Sequence, residues 1–187
     1  MPLTGAAAAR LYDDHVDAVH ALIARRVGPA HAPAITGEAF ESALRTWDQF
    51  DPDHGTERLF VFGAAVRTIR THGSIEREHL ERVRIPRARP ARAIDDPLVV
   101  RPDDETPIRG LGHGTPEADD DDTEDARTMR AIVELDPEDR DIVLLSVWES
   151  CPQSAIAEVL DSSVSAVRSS LGRIRRELKI AVAGDRR

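Results

Sequence analysis

Residues 131–178 read AIVELDPEDRDIVLLSVWESCPQSAIAEVLDSSVSAVRSSLGRIRREL, and the apolar spacing of this stretch decides the fold class. Val164, Val167, Leu171, Ile174 and Leu178 recur at intervals of three and four, the signature of one face of an α-helix, so a long helix is predicted to run to about Val182. Arg168, Arg175 and Lys179 fall together on another face of that helix, with Arg173 and Arg176 beside them. Before it come a short helix, Gln153 to Leu160, and the turn Asp161-Ser162-Ser163. Further upstream, helices at about 124–134 and 137–149 are predicted, separated by Leu135-Asp136-Pro137 with Asp136 as N-cap and Pro137 at the first helical position.

A short helix, a tight turn and an amphipathic helix with a basic outer face make a helix-turn-helix pattern. In such a pair the first helix braces and the second enters the major groove of duplex DNA, its N-terminal residues at base edges and its cations on phosphates. Ile156, Ala157 and Leu160 are expected to face Val164, Val167 and Leu171, with Ala157 small enough for close approach. Ser165, Ala166, Arg168 and Ser169 are then the base-facing candidates, and Arg173, Arg175, Arg176 and Lys179 the phosphate-facing ones. The alternative on spacing alone is an ordinary helical hairpin with a solvated basic face, and the spacing favours the DNA reading over it.

Helical period also governs the N-terminal part. Leu11, Tyr12, Val16, Val19, Ile23 and Val27 fall on one stripe, ended by Gly28-Pro29. A second helix is predicted from about Ala34 to Phe50 with Phe40, Leu44 and Trp47 inward. A third starts near Thr56 and carries Leu59, Phe62, Val66 and Ile69. A short fourth follows Gly73, with Ser74 as N-cap and Glu76 in its first turn, and runs to about Arg84. The fold class expected is all-α.

The chain has 187 residues and a formal net charge of −9, which spread evenly would argue against a nucleic-acid partner. The charge is not spread evenly. Residues 1–93 hold 13 basic and 12 acidic side chains, residues 94–127 hold 3 and 12, and residues 128–187 hold 9 and 10. The middle segment contains Pro97, Pro102, Pro107 and Pro116, the glycines Gly110, Gly112 and Gly114, and four successive aspartates from Asp119 to Asp122. Such a composition buries too little apolar area to offset chain entropy and reads as a flexible acidic linker. Two small helical domains are therefore expected, residues 1–93 and 124–187, joined by a linker at 94–123.

Composition excludes other classes. No apolar run approaches the ~20 residues of a membrane span, and the N-terminus lacks the basic start and apolar core of a secretory signal, so a cytoplasmic protein without membrane insertion is expected. The lone Cys151 excludes a disulfide framework or a multi-cysteine zinc site, and the seven histidines form no spaced ligand pair, so no metal or other cofactor is expected. No nucleophile–base pair or phosphate loop appears, so the chain is not expected to be an enzyme.

The quoted stretch closely resembles the promoter-binding region 4 of extracytoplasmic-function sigma factors of the sigma-70 family. The matching features are Leu135, Pro137, Arg140, Ile142 and Leu144 at the start, the I-A-E-V-L of the bracing helix, and V-x-x-V-R-S-x-L-x-R-x-R-R-x-L in the long helix. The glycine usual in the turn is replaced by Asp161. The N-terminal part resembles region 2 more loosely, in L-Y-x-x-H-x-x-A-V, E-x-F-x-x-A-L-R-T-W-D-x-F-D-P and R-L-F-V-F-x-x-A-V-R-T-I-R-T-H.

The resemblance implies a dissociable subunit that directs core RNA polymerase to promoter DNA, with an anti-sigma protein as a further partner class. The C-terminal unit would read the minus-thirty-five element as duplex, and the first domain would bind the melted minus-ten element and the polymerase clamp. By the same resemblance Asp53, His54, Arg58, Arg67, Arg70 and His72 are the minus-ten candidates, and Glu38 and Phe40 the polymerase-binding ones. The acidic linker would thread toward the RNA exit channel. A helix-turn-helix regulator that binds duplex DNA without polymerase is the competing reading.

Overall fold

A computed structural model describes residues 4–53, 55–83 and 124–184. The expected linker at 94–123 and His54 lie outside the described residues. Among the described residues every regular element is helical and there is no strand, as the periodicity required. The chain divides into two compact units, residues 1–82 together with 158–162, and the remaining residues after 82, and the N-terminal and C-terminal helices are described in turn.

The first unit is built from α1 (Gly5–Val27), α2 (Ala32–Arg45), a short 3-10 turn (Trp47–Gln49), α3 (Glu57–Thr71) and α4 (Gly73–Leu80). Helix α1 begins on Thr4, whose hydroxyl accepts from the Ala7 amide at 3.3 Å, and continues through an alanine run that favours helix more than any other residue. It ends at Gly28, whose φ of +84° and ψ of 159° suit glycine alone. Thr56 caps α3 in the same manner as Thr4, accepting from the Leu59 amide at 3.3 Å. Helix α3 is the centre of the unit, packed on α1, α2 and α4, with Val61, Phe62, Ala64, Ala65, Val66 and Ile69 buried. Burying each such large side chain stabilises by about 1.5–3 kcal/mol. That far exceeds the few tenths from surface pairs such as Arg45–Glu41.

Four expectations for this unit fail. Helix α2 stops at Arg45, where the Thr46 amide and hydroxyl both turn back to the Ser42 carbonyl, so Trp47 sits half-buried in the 3-10 turn. The buried line of α2 is Ile35, Ala39, Phe40 and Ala43, whose small alanines let α3 approach, and Leu44 is 39% exposed. Tyr12 is likewise 44% exposed, its ring 4.8 Å from that of Phe40. In α4, His72 occupies the cap position in place of Ser74, with no side-chain cap, and Glu76 is buried against Arg26 of α1.

The C-terminal helices are α5 (Glu124–Val133), α6 (Pro137–Val147), α7 (Gln153–Val159) and α8 (Val164–Gly184); most of them lie in the second unit, and residues 158–162 fall in the first. Helix α8 packs on α5 and α6 through Val167, Leu171, Ile174 and Leu178, whereas Val164, the first residue of the expected stripe, is exposed because it begins the helix. Arg140 is buried and its Nη2 donates to the carbonyls of Val133 at 2.7 Å and Leu135 at 2.9 Å. One α6 side chain thereby satisfies acceptors left open at the end of α5. Helix α6 ends at Val147; three residues on, Ser150 adopts the left-handed region, φ +51°, and the Cys151 amide reaches back to the Leu145 carbonyl at 3.0 Å.

Candidate nucleic-acid interface

The helix-turn-helix is built from α7, the turn 160–163 and α8. Pro152 stands just before α7 and its carbonyl accepts from the Ile156 amide at 3.0 Å, closing the first turn. Ile156 and Ala157 are buried, as expected, and Leu160 is half-buried. The chain then reverses through Asp161, which adopts φ +52°; aspartate tolerates this left-handed geometry better than most non-glycine residues. Ser163 caps α8, its Oγ accepting from the Ala166 amide at 3.1 Å and lying 3.0 Å from Ser165 Oγ.

On α8 the buried residues leave one face free. At about 100° per residue, Arg168, Arg175 and Lys179 come within about 40° of one another, and Ser165, Ser169 and Arg176 lie on the same broad side. All six are exposed. From Ser165 to Lys179 this face extends about 21 Å. Ala166 and Arg173 are exposed too, but lie about 140–160° round the helix from Arg168. The candidates thus fan round α8 from the Arg168–Arg175–Lys179 line, through Ser165, Arg176 and Ser169, to Arg173 and Ala166.

Arg168 Nε donates to Oε1 of Gln153 at 3.3 Å, tying the recognition helix to the first residue of the bracing helix. Gln153 was not among the sequence candidates, and its position at the start of α7 was the available signal. Arg173 Nη2 lies 2.7 Å from Oδ1 of Asp139, and its Nη1 is 3.3 Å from Oε1 of Glu177. The hydrogen bond and charge of Asp139, helped by Glu177, hold the guanidinium still further above its ordinary pKa.

The first unit's candidates are spread over α2, α3 and the loop between them. The Asp53 amide donates to Oδ1 of Asp51 at 2.9 Å, an Asx turn that shapes the loop. Arg58 places its guanidinium 5.2 Å from the Phe62 ring centroid. Arg67 and Arg70 are exposed along α3. His72 and Glu38, expected in two different roles, are brought together with Nε2 and Oε2 2.7 Å apart. Phe40 is 3% exposed and packs inside the unit. Beside this group Trp47, Phe50 and Phe60 form a half-buried aromatic cluster with centroids 4.6–5.5 Å apart. Among the described residues no group of histidine, cysteine or carboxylate side chains could hold a metal ion, and no helix is long and apolar enough to cross a membrane.

A bracing helix, a tight turn and a recognition helix with a free cationic face define a helix-turn-helix nucleic-acid-binding domain. Residues 126–178 match the family described as sigma-70, region 4. These residues are thus similar to a sigma-70 region 4 domain, as the resemblance of residues 132–178 implied. No curated protein matches the sequence. Among solved structures the chain is similar to the sigma factor RpoE of Bartonella quintana, determined in complex with the anti-sigma factor NepR. That similarity has 12% identity over 91% of this chain and 93% of that one, with a TM-score of 0.49.

Proposed function

We propose that the protein is an RNA polymerase sigma factor of the extracytoplasmic-function group, which directs core polymerase to specific promoters and supports initiation. The observation that carries this reading is the exposed face of α8 within the region 4 match, where Ser165, Arg168 and Ser169 stand at the helix start and Arg175, Arg176 and Lys179 follow. An α-helix fits the major groove, and a helix with serine and arginine first and cations behind can read base edges while neutralising phosphates. The target of this face is the minus-thirty-five element.

The first unit takes the minus-ten element and the polymerase clamp. Its exposed Arg67 and Arg70, with Asp53, Arg58 and His72 nearby in sequence, line α3 and the loop before it, and His54 belongs to the same loop. On the polymerase side Glu38 is exposed on α2, while the buried Phe40 acts by holding α2 in place. Residues 94–123 are the linker, an anionic strap suited to a basic channel that otherwise holds RNA. An anti-sigma protein is the regulatory partner, and the cytoplasm, where polymerase works, the site of action. The protein performs no catalysis of its own.

Reconstitution with core polymerase followed by sequencing of transcript starts tests this reading. The expected result is a set of starts sharing an upstream motif at fixed distance from a minus-ten motif. Absence of both core association and start-site choice overturns it, and binding to a palindromic duplex without core establishes a regulator instead.

A further inference from the structure

We infer that Arg173 is a positioning residue that locks the recognition helix α8 onto α6 through Asp139, and that it contributes no phosphate contact although it sits among the α8 cations. The inference rests on the proposed duplex reading for its consequence, but its geometry lies wholly within α6 and α8.

Asp139 stands in the first turn of α6, and its side chain is only 9% exposed. A carboxylate so far from water needs a partner, and the Arg173 guanidinium at 2.7 Å supplies it across 34 residues of sequence. Glu177, one helical turn further along α8, takes the other side of the same guanidinium at 3.3 Å. Two carboxylates already balance this one cation. To reach a phosphate Arg173 would have to leave the Asp139 carboxylate nearly buried and unpaired, the arrangement that makes breaking such pairs costly.

Direction agrees with charge. Arg173 lies about 140° round α8 from Arg168 and about 160° from Arg175, though only about 40° from Ser169, so in a helix seated in a groove by the Arg168–Arg175–Lys179 side it stands off the contact line, where the Asp139 carboxylate holds it against α6. With Val167, Leu171, Ile174 and Leu178 buried, α8 has an apolar seat that sets its depth. The polar Arg173–Asp139 contact adds what apolar packing lacks, a fixed rotation and slide of the helix about its own axis. The pair thus fixes which way Arg168 and Ser169 face.

The test measures binding of the full-length protein to a mixed-sequence DNA duplex over a range of salt, for wild type, Arg173→Ala, Asp139→Ala, the double variant and Arg175→Ala. The slope of log K against log salt falls by about 0.9 for each phosphate contact removed. Arg175→Ala should show that change. Arg173→Ala should lower affinity about tenfold with the slope unchanged. Asp139→Ala should match it, and the double variant should lose no more than either.

Amide hydrogen exchange of α6 and α8 in the free proteins should rise equally in the two single variants and no further in the double. A slope reduced by about 0.9 in Arg173→Ala, or losses that multiply in the double variant, overturns the lock. If wild type binds no duplex, or Arg175→Ala leaves the slope untouched, it is the duplex reading that fails. The exchange experiment then judges the lock alone, and unchanged exchange in Arg173→Ala overturns it.

Discussion

Arg26 of α1 and Glu76 of α4 form an ion pair with their side chains 3% and 2% exposed, Arg26 Nε donating to Glu76 Oε1 at 2.6 Å. The pair fastens the last turn of α1 to the short helix that ends the first unit. Removing one partner from such a pair strips the remaining buried charge of its close counter-ion, which costs up to about 3–5 kcal/mol. Glu76→Ala should therefore unfold the first unit selectively. Each unit holds one tryptophan, Trp47 and Trp148, so denaturant unfolding followed by Trp47 fluorescence in a Trp148→Phe background reads this unit alone. A midpoint unchanged by Glu76→Ala would show that the pair contributes nothing.

Gly28 should resist any side chain. Its backbone lies at φ +84°, ψ 159°, a region that costs other residues about 1–3 kcal/mol. A Cβ there would also stand 2.8 Å from His79 Nδ1. Gly28→Ala is expected to lower the stability of the first unit by more than backbone strain alone, and combining it with His79→Ala should recover the steric part. The same Trp47 readout measures both.

The first unit should lose stability in mild acid. Burial holds the pKa of His15 below its usual 6.5, against the opposing pull of Glu57, and burial with the nearby Arg82 does the same for His79. A histidine whose folded pKa is depressed favours the neutral form. Its contribution is intact above about pH 6.5 and is lost as pH falls through the lower folded value. Titrating the unfolding midpoint from about pH 7.5 down to 5.5 should show this loss, and His79→Gln should flatten the curve. An identical slope in the variant would assign the acid sensitivity to other groups.

Asp161 carries a left-handed backbone, φ +52°, in the turn before the recognition helix. Glycine adopts that conformation without the Cβ penalty, so Asp161→Gly should be neutral or stabilise by up to about 1 kcal/mol. Asp161→Val should destabilise by at least as much, because a β-branched side chain is least tolerated there. Trp148 fluorescence in a Trp47→Phe background measures both variants. A stable Asp161→Val protein would mean that the turn can be rebuilt in another geometry.

Arg168 and Lys179 should differ in kind when duplex binding is measured. Arg168 stands at the start of α8, held by Gln153 at 3.3 Å. If it contacts a base, Arg168→Ala should lower discrimination at one position of the element by about 1–3 kcal/mol. Lys179→Ala should weaken binding to all sequences alike and reduce the salt slope by about 0.9. The two signatures are separable by competition with single-base variants of the promoter.

Much of the fold was legible because helices are specified locally. The 3,4 spacing of Val167, Leu171, Ile174 and Leu178 marked the buried face of α8, and Gly28, Thr56 and Pro137 marked helix ends by backbone chemistry that needs no distant partner. Leu44 and Tyr12 were misread because apolar character does not state which side of a helix its neighbours occupy. Small Ala39 and Ala43 are buried, and their bulkier neighbour Leu44 was left outward.

The candidate interface divides along the same line. Periodicity alone places Arg168, Arg175 and Lys179 on one side of a helix. Nothing local says that Arg173 is spent on Asp139, Glu76 on Arg26, or that Glu38 meets His72. Those pairs join residues 34 and 50 positions apart, and a charge in a linear chain carries no mark of the partner it meets after folding. Helical order thus follows from nearest-neighbour propensities and spacing. Which cations are neutralised inside the fold, and which remain for a phosphate, follows from how the helices pack, because burial and direction exist only once the chain has closed on itself.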